Sequence, residues 1–359
     1  MRIRIAFLTL VLAAILVGAL PVLAAADITA ALDYLRSQQN ADGGFGSGFS
    51  PDSTIGSTAD VTLAIVAADG DLAAFDQDGN TPLTYLDANA ASASSAGDLA
   101  KLIMAAIAAG ENPRAFGGVD SVVSLEALTD ASGRIGGEAD TFVSHLLAVL
   151  ALASAERPIP AAAVDYISNA QQENGSWAWD GSAETAGDTN TTAFAVQALV
   201  AAGEDPGSEA VTNALTYYGG IQNEDGGWPY QNPSDFGTDT DANSTAVTIQ
   251  AIIAAGQDPA GADWTTGDGG TPIAALESLQ NASGAFAWQA AMPDDNLLAT
   301  VQALPALAGK AFPFATMDVG EPTPTTVPET GGAVVAPALS LLLGGLALAG
   351  GGYLLNRKK

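Results

Sequence analysis

The chain has no cysteine, one histidine, and 11 lysine and arginine residues against 40 aspartate and glutamate residues, for a formal net charge of −29 over 359 positions. Without cysteine there is no disulfide framework and no zinc or iron–sulfur site built on thiolates. The shortage of cations argues against a nucleic-acid partner, whose phosphates would be repelled over most of the surface. Only 14% of the residues are charged and 48% are hydrophobic. That composition supports a packed core and is not one of global disorder.

Both ends read as addressing signals. Arg2 and Arg4 precede an apolar run from Ile5 to Val17 and a small-residue stretch ending Ala24-Ala25-Ala26. This is the form of a secretory signal peptide over residues 1–26. Residues 316–327 alternate Pro and Thr with few apolar residues and read as an extended stalk. Val327-Pro328-Glu329-Thr330-Gly331 follows, then an apolar stretch over about 333–355 and Arg357-Lys358-Lys359. The stretch is long enough to cross a bilayer, and the basic tail fits a cytoplasmic end. Residues 328–359, led by Val327, resemble the sortase sorting signals of Gram-positive-type surface proteins. Val327 stands where those signals usually have Leu. The resemblance implies cleavage between Thr330 and Gly331 and attachment of Thr330 to the cell wall, with sortase and the wall as partners. The alternative is a retained membrane anchor. Either way the protein is secreted and held at the cell surface. Removing both signals strips five cations and no acid, so the mature piece keeps 6 cations against 40 acids, a net −34.

The middle is a repeat array. Four segments share Gln, three residues, Gly, one residue, then an aromatic: Gln39, Gly43 and Phe45; Gln171, Gly175 and Trp177; Gln222, Gly226 and Trp228; Gln280, Gly284 and Phe286. Leu83 to Leu86 begins a copy that has lost the turn, and Leu125 to Leu128 leads to Gly133-Arg134-Ile135, with Ile in the aromatic place. Each segment is followed by a second helix. Gly110 with Pro113, Gly203 with Pro206 and Gly256 with Pro259 mark helix stops. Gln197, Gln250 and Gln302 recur inside the last three second helices. The first helix of a pair is amphipathic, with Ile28, Ala31, Leu32 and Leu35 at helical spacing. The second is apolar nearly all round, as in Phe194 to Ala202 and Val247 to Ala255, and has to be buried on all sides. Six pairs between Ile28 and about Phe314 predict an all-α fold over 27–315, with inner and outer helical rings and no strand pattern. A closed (α/α)6 barrel and an open superhelix read alike. The protein is expected to be monomeric.

These repeats resemble those of the squalene-cyclase and protein-prenyltransferase α/α-toroid superfamily, which also includes the helical domain of cobalamin carriers. The resemblance implies an (α/α)6 toroid of prenyltransferase/squalene-oxidase-like repeats. It leaves activity open, because the superfamily holds enzymes and binders. In squalene–hopene-type cyclases an Asp-x-Asp-Asp-Thr-Ala stretch starts an inner helix, and its middle Asp protonates the polyene. Aligned on Thr245-Ala246, this chain has Asp241-Ala242-Asn243-Ser244. An amide is not an acid for an alkene. Repeat four carries nearly the same string, Asp188-Thr189-Asn190-Thr191-Thr192-Ala193, which favours a helix-start device. A prenyltransferase zinc site needs Asp, Cys and His; Cys is absent, and His145 among Val143, Leu146 and Leu147 reads as a core residue.

The links from first to second helix are long (43–58, 175–188, 226–239) and lie on one face, where binding sites usually sit. Acids and amides stand near each inner-helix start: Asp60, Asp98, Asp140, Asp188 with Asn190, Asp239 with Asp241 and Asn243, and Asp294 with Asp295. They read as N-caps or as carboxylates ringing a central funnel. Asp239 and Asp241 form the one candidate carboxylate pair for catalysis. With Asn243 they copy the first half of a Ca²⁺ loop, although Ser244 and Gln250 stand where Gly and a closing Glu belong. No other cofactor is expected. Trp177, Trp228 and Phe286 read as glue for the turns. Trp179, Tyr230 and Trp288, two residues later in each case, offer faces for stacking. With Asp188, Asn190, Asp241 and Asn243 they are the candidate ligand-binding residues. The expected function is a non-catalytic binding module for a small molecule, corrinoid-like by the resemblance, or for a glycan. An enzyme on the same fold, terpene-cyclase-like or carbohydrate-active, and a surface spacer are the alternatives.

Overall fold

The computed structural model of the chain describes residues 25–48, 50–235 and 237–321. The expected signal peptide up to residue 24, the end of the stalk, the sorting signal and the apolar stretch lie outside the described residues. Among the described residues no helix is long and apolar enough to cross a membrane.

Among the described residues twelve α-helices form six pairs. They are α1 (Ile28–Ser37) with α2 (Ile55–Ala67), α3 (Pro82–Asn89) with α4 (Ala96–Ala108), α5 (Ser121–Glu126) with α6 (Phe142–Ser154), α7 (Ala161–Asn169) with α8 (Thr189–Ala201), α9 (Glu209–Ile221) with α10 (Ala242–Ala254), and α11 (Pro272–Glu277) with α12 (Leu297–Leu307). The even-numbered helices touch in sequence from α2 to α12, and α12 returns to α2. The ring is therefore a closed toroid and not an open superhelix. Burial follows the sequence pattern. In α10 every residue from Ala242 to Ile252 is buried, whereas α1 buries only Ala31 and Leu35. A helix apolar all round finds cover in this fold only inside a second ring.

The recurrent Gln ties each repeat to the next. Its Nε2 donates to the carbonyl of its own turn Gly and to a backbone carbonyl of the following repeat. Gln39 reaches Gly43 and Phe75, Gln171 reaches Gly175 and Ala210, and Gln222 reaches Gly226 and Trp264. In the sixth repeat the following repeat is the first: Gln280 Nε2 donates to Gly284 O and Asp27 O, and its Oε1 accepts from Asp27 N at 2.7 Å. This is the seam where the ring closes. Each bond contributes about 1 kcal/mol, so the seam rests on many small terms.

The turn glycines are fixed twice over. Gly175 has φ +89°, and a Cβ there would lie 2.3 Å from Asn213 O; at Gly284, φ is +89° and the Cβ would lie 2.2 Å from the Ala30 backbone. Two residues on, the backbone N–H of each turn's buried aromatic residue donates to a threonine Oγ1 of the inner helix: Phe45 to Thr58, Trp177 to Thr192, Trp228 to Thr245 and Phe286 to Thr300, at 2.8–3.0 Å. The indoles of Trp177 and Trp228 bury fully and donate to Ile167 O and Tyr218 O.

Two features depart from the sequence reading. The link before α12 carries a two-stranded antiparallel hairpin, β1 (Phe286–Gln289) and β2 (Met292–Asn296). Its strands are too short for alternation to stand out from a loop. The first residues of the expected stalk also belong to the body. Residues 310–321 run as a strap across the C-terminal ends of the inner helices. Lys310 pairs with Asp69, Phe312 N donates to Gln197 Oε1, and Met317 N donates to Ser154 O. Arg114 and Arg157 then both donate to Gly320 O, at 2.9 and 3.0 Å. Phe312 thus closes the barrel at the end opposite the long loops.

The double constraint on the turn glycines makes a test. Gly175→Ala should cost roughly 3 kcal/mol, combining a left-handed penalty with overpacking against Asn213. Gly203 also has positive φ, +97°, but a Cβ there meets nothing within 4 Å, and Gly203→Ala should cost only about 1 kcal/mol. Chemical denaturation of both variants checks this. Equal losses would remove the role given to the inter-repeat contact.

Candidate functional site

Six capping residues begin the inner helices: Thr54, Ser95, Thr141, Asp188, Asp241 and Asn296, each accepting from the N–H three residues on. Of the acids expected to cap, only Asp188 and Asp241 do so. Asp60 lies further along α2 and bonds Lys101, Asp98 is itself served by the Ser95 cap, Asp140 accepts from Ala96 N and Gly137 N, and Asp295 accepts from Asn281 and Ser283. Ser and Thr cap as well as Asp, so acidity was a poor guide to the position.

The alternative reading, a ring of carboxylates, does not form from the two capping aspartates, because both are buried, each 1% exposed. Asp241 accepts from Ser244 N at 2.7 Å and Ser244 Oγ at 2.9 Å, and Asp188 likewise from Thr191 N and Oγ1. Tyr230 shares a hydrogen bond with Asp188. Burial pushes both carboxyls up to about 6, against the pull of those donors. Asp239 is exposed while Asp241 is turned onto its own helix, so the two do not work as a catalytic pair. Asn243 points away from both, its Nδ2 donating to Gln302 Oε1 at 2.7 Å. The half-loop read as a Ca²⁺ site is thus a capped helix start. Among the described residues no group of three or more His, Cys, Asp or Glu is arranged for a metal.

His145 is fully buried and takes the place that threonine holds in four other repeats. Its Nδ1 accepts from Ile135 N at 2.9 Å, so the proton sits on Nε2, which faces Ala163 O at 3.1 Å. Burial lowers it from 6.5 to about 4.

Counted from the caps, lumen-facing side chains fall in layers. Two residues in stand Gly56, Gly97, Val143, Asn190, Asn243 and Leu298; six in stand Asp60, Lys101, Leu147, Phe194, Val247 and Gln302. The lumen below the mouth is small, about 160 Å³, mostly apolar, with the Lys101–Asp60 pair at 2.6 Å on one wall and Phe312 at its base. Gln302 aligns with Gln197 and Gln250 in the sequence but not in space. It stands six residues past its cap where they stand nine past theirs. That one-turn shift toward the mouth brings it to Asn243.

Above the lumen, on the long-loop face, opens a cavity of about 780 Å³. One wall is the first repeat, with Tyr34, Gln38, Gly46, Ser50 and Pro51; the other is the sixth, with Trp288, Asp295 and Leu298; Asn243 of the fifth lies between. Leu298 lines both cavity and lumen. Of the candidate ligand residues, only Trp288 and Asn243 meet here. Trp179 is 49% exposed and lies outside the cavity, Tyr230 is committed to Asp188, and Asn190 has a buried Oδ1 with no hydrogen-bond partner. Tyr34 recurs in other repeats as Tyr85, Tyr166 and Tyr217, so nothing local marks it, and only the closure of the ring brings it and Gln38 to the site.

Residues 124–291 match the family model of the squalene-hopene cyclase C-terminal domain, and residues 2–83 that of the prenyltransferase alpha-alpha toroid domain. No curated protein matches the sequence. The apo type II terpene cyclase MstE from Scytonema is similar in structure, with TM-score 0.54 and 14% identity over 78% of this chain and 96% of that one. A variant of MstE in complex with its substrate, geranylgeranyl dihydroxybenzoate, gives 0.56 and 13% over 79% and 95%. A protein from Actinoplanes gives 0.53 and 15% over 79% and 98%. At these identities the likeness is one of fold, and the α/α toroid is shared with terpene cyclases.

The buried groups give opposed pH dependences. The unfolded chain protonates His145 near 6.5 and the native chain only near 4, so the stability carried by neutral His145 is lost as pH falls through that window. Asp188 and Asp241 are raised from 3.8 to about 6, so stability falls as pH rises from about 4 to 6. His145→Thr should keep the acceptor for Ile135 and show a shallower loss of melting temperature from pH 6.5 to 4. Asp241→Asn should keep the cap and remove part of the decline between pH 4 and 6. Melting curves across pH 3.5–8 measure both, and unchanged slopes in the two variants would contradict the assignments.

Proposed function

We propose that the chain is a non-catalytic binding module, displayed at the cell surface, that takes a small molecule in the loop-face cavity. The observation that carries this is Asn243. It occupies the middle position of the cyclase-like stretch, its amide is spent on Gln302, and it faces the cavity. An alkene is protonated only by a strong acid. The carboxyl groups nearby are otherwise engaged: Asp241 on its own helix, Asp60 on Lys101, and Asp295 on Asn281 and Ser283. The cavity has the size and the mixed lining of a small-molecule site. Its one-sided opening supports capture, since the strap occupies the other end of the barrel. The terminal segments support export and attachment at the surface, with the long-loop face free of the strap.

Native mass spectrometry of the purified protein with corrinoids, polyprenyl compounds and oligosaccharides tests the reading. The expected result is a retained ligand of unchanged mass, with retention weakened tenfold or more by Asn243→Leu. Conversion of a polyprenyl compound to a cyclised product would show an enzyme instead, and no retained ligand from any class would disfavour a small-molecule site.

A further inference from the structure

We propose that this cavity is a site for a neutral oligosaccharide, built across the seam of the ring, so that the bound sugar clamps the first repeat to the last. The proposal rests on the binding reading above and adds the ligand's class and its mechanical consequence.

The class follows from the lining. Two half-buried aromatic rings, Tyr34 and Trp288, stand on opposite walls. Apolar faces of sugar rings pack on such side chains. Around them Leu297 and Leu298 add apolar surface, and the polar, uncharged lining is amide and hydroxyl: Gln38, Asn40, Asn243 and Ser50. These groups donate and accept without charge, as a polyol requires. Among the described residues no lysine or arginine lines the cavity, and the one carboxylate is Asp295. With a chain charge of −29, an anionic ligand is repelled. A wholly apolar ligand would strand these polar groups.

The consequence follows from where the walls come from. Tyr34 and Gln38 are on or beside α1, and Trp288 and Leu298 are on β1 and α12. Across the same seam, outside the cavity, lie the Gln280–Asp27 hydrogen bonds and the contact of Gly284 with Ala30. A ligand that touches both walls binds the closed seam and not an opened one. It therefore suppresses local opening there by the factor 1 + [L]/Kd. The boundary between repeats four and five has the same bonds, Gln171 to Gly175 and Ala210, but contributes nothing to the cavity, and serves as an internal control.

The experiment uses the purified protein and a panel of maltotriose, cellotriose, tri-N-acetylchitotriose and trigalacturonate, with titration calorimetry followed by hydrogen exchange. At least one neutral trisaccharide should bind, and trigalacturonate should not. Trp288→Ala should weaken binding tenfold or more, while Trp179→Ala, on the exposed loop, should leave it unchanged. At a sugar concentration 100 times Kd, amides in 26–31 and 280–286 that exchange through seam opening should slow by up to about 100-fold. Those in 171–177 and 210–214 should not change. Tight binding of trigalacturonate, or insensitivity to Trp288→Ala, would overturn the assignment. Binding with equal protection at both boundaries would overturn the clamp. A retained corrinoid or polyprenyl compound with no sugar bound would overturn the saccharide and leave the binding module standing; no retained compound of any class would remove both.

Discussion

The structure depends on one contact made over and over: a left-handed glycine turn pressed onto the backbone of the next repeat, with a glutamine bonding both sides. A single repeat cannot bury its inner helix, which is apolar all round, so the repeats are stable only as a set. The glycine fixes how closely neighbours approach, and the glutamine fixes their register. Because the sixth glutamine finds Asp27 of the first repeat, the same local rule that builds the array also ends it. Closure needs no covalent bond, which suits a chain with no cysteine.

This construction divides polar groups between scaffold and site. Each inner helix needs a cap at its N-terminus, and all six termini point to the long-loop face. Asp188 and Asp241 are consumed by that need. An abundance of acid near the mouth therefore does not amount to a reactive centre. Inside the barrel Lys101 and Asp60 pair, and Phe312 lies at the base of the lumen. Lumen polarity that is free of capping duty is carried by amides, and Asn243 with Gln302 shows how an amide pair satisfies itself where a lone acid would stand desolvated.

Much of the scaffold was legible from the chain because its constraints are local. Gln39, Gly43 and Phe45 and their counterparts recur at fixed spacing, since the turn geometry admits few residues. The site was less legible because it is assembled from distant segments. Tyr34 and Trp288 lie far apart in sequence and meet only through closure. Gln302 looked equivalent to Gln250 by spacing, yet the hairpin before α12 displaces the helix start and moves it by a turn. His145 gave no sign that it replaces a threonine, because its partner Ile135 stands where an aromatic was expected. The strap over 316–321 reads as stalk in the sequence, since its attachment to Arg114 and Arg157 combines backbone carbonyls with the Glu321 carboxylate and carries no sequence signature.

A ring of near-identical repeats would offer six equivalent mouths or none. What singles out one position is loss of equivalence, and here the losses gather at the seam. Among the described residues the sixth link alone carries a two-stranded hairpin, α12 has its glutamine a turn earlier than α8 and α10, and its layer nearest the mouth ends in Leu298 beside Asn243. On the other side, α2 and α4 present Gly56 and Gly97 where other repeats present side chains, which widens the mouth toward the first repeats. Each departure weakens the uniform packing that the repeat rule would give. Together they leave a cavity of about 780 Å³ at the junction where the chain's first and last repeats meet. A toroid held by six similar joints can relax one of them and remain folded, and the relaxed joint is where a ligand can enter and contribute to closure.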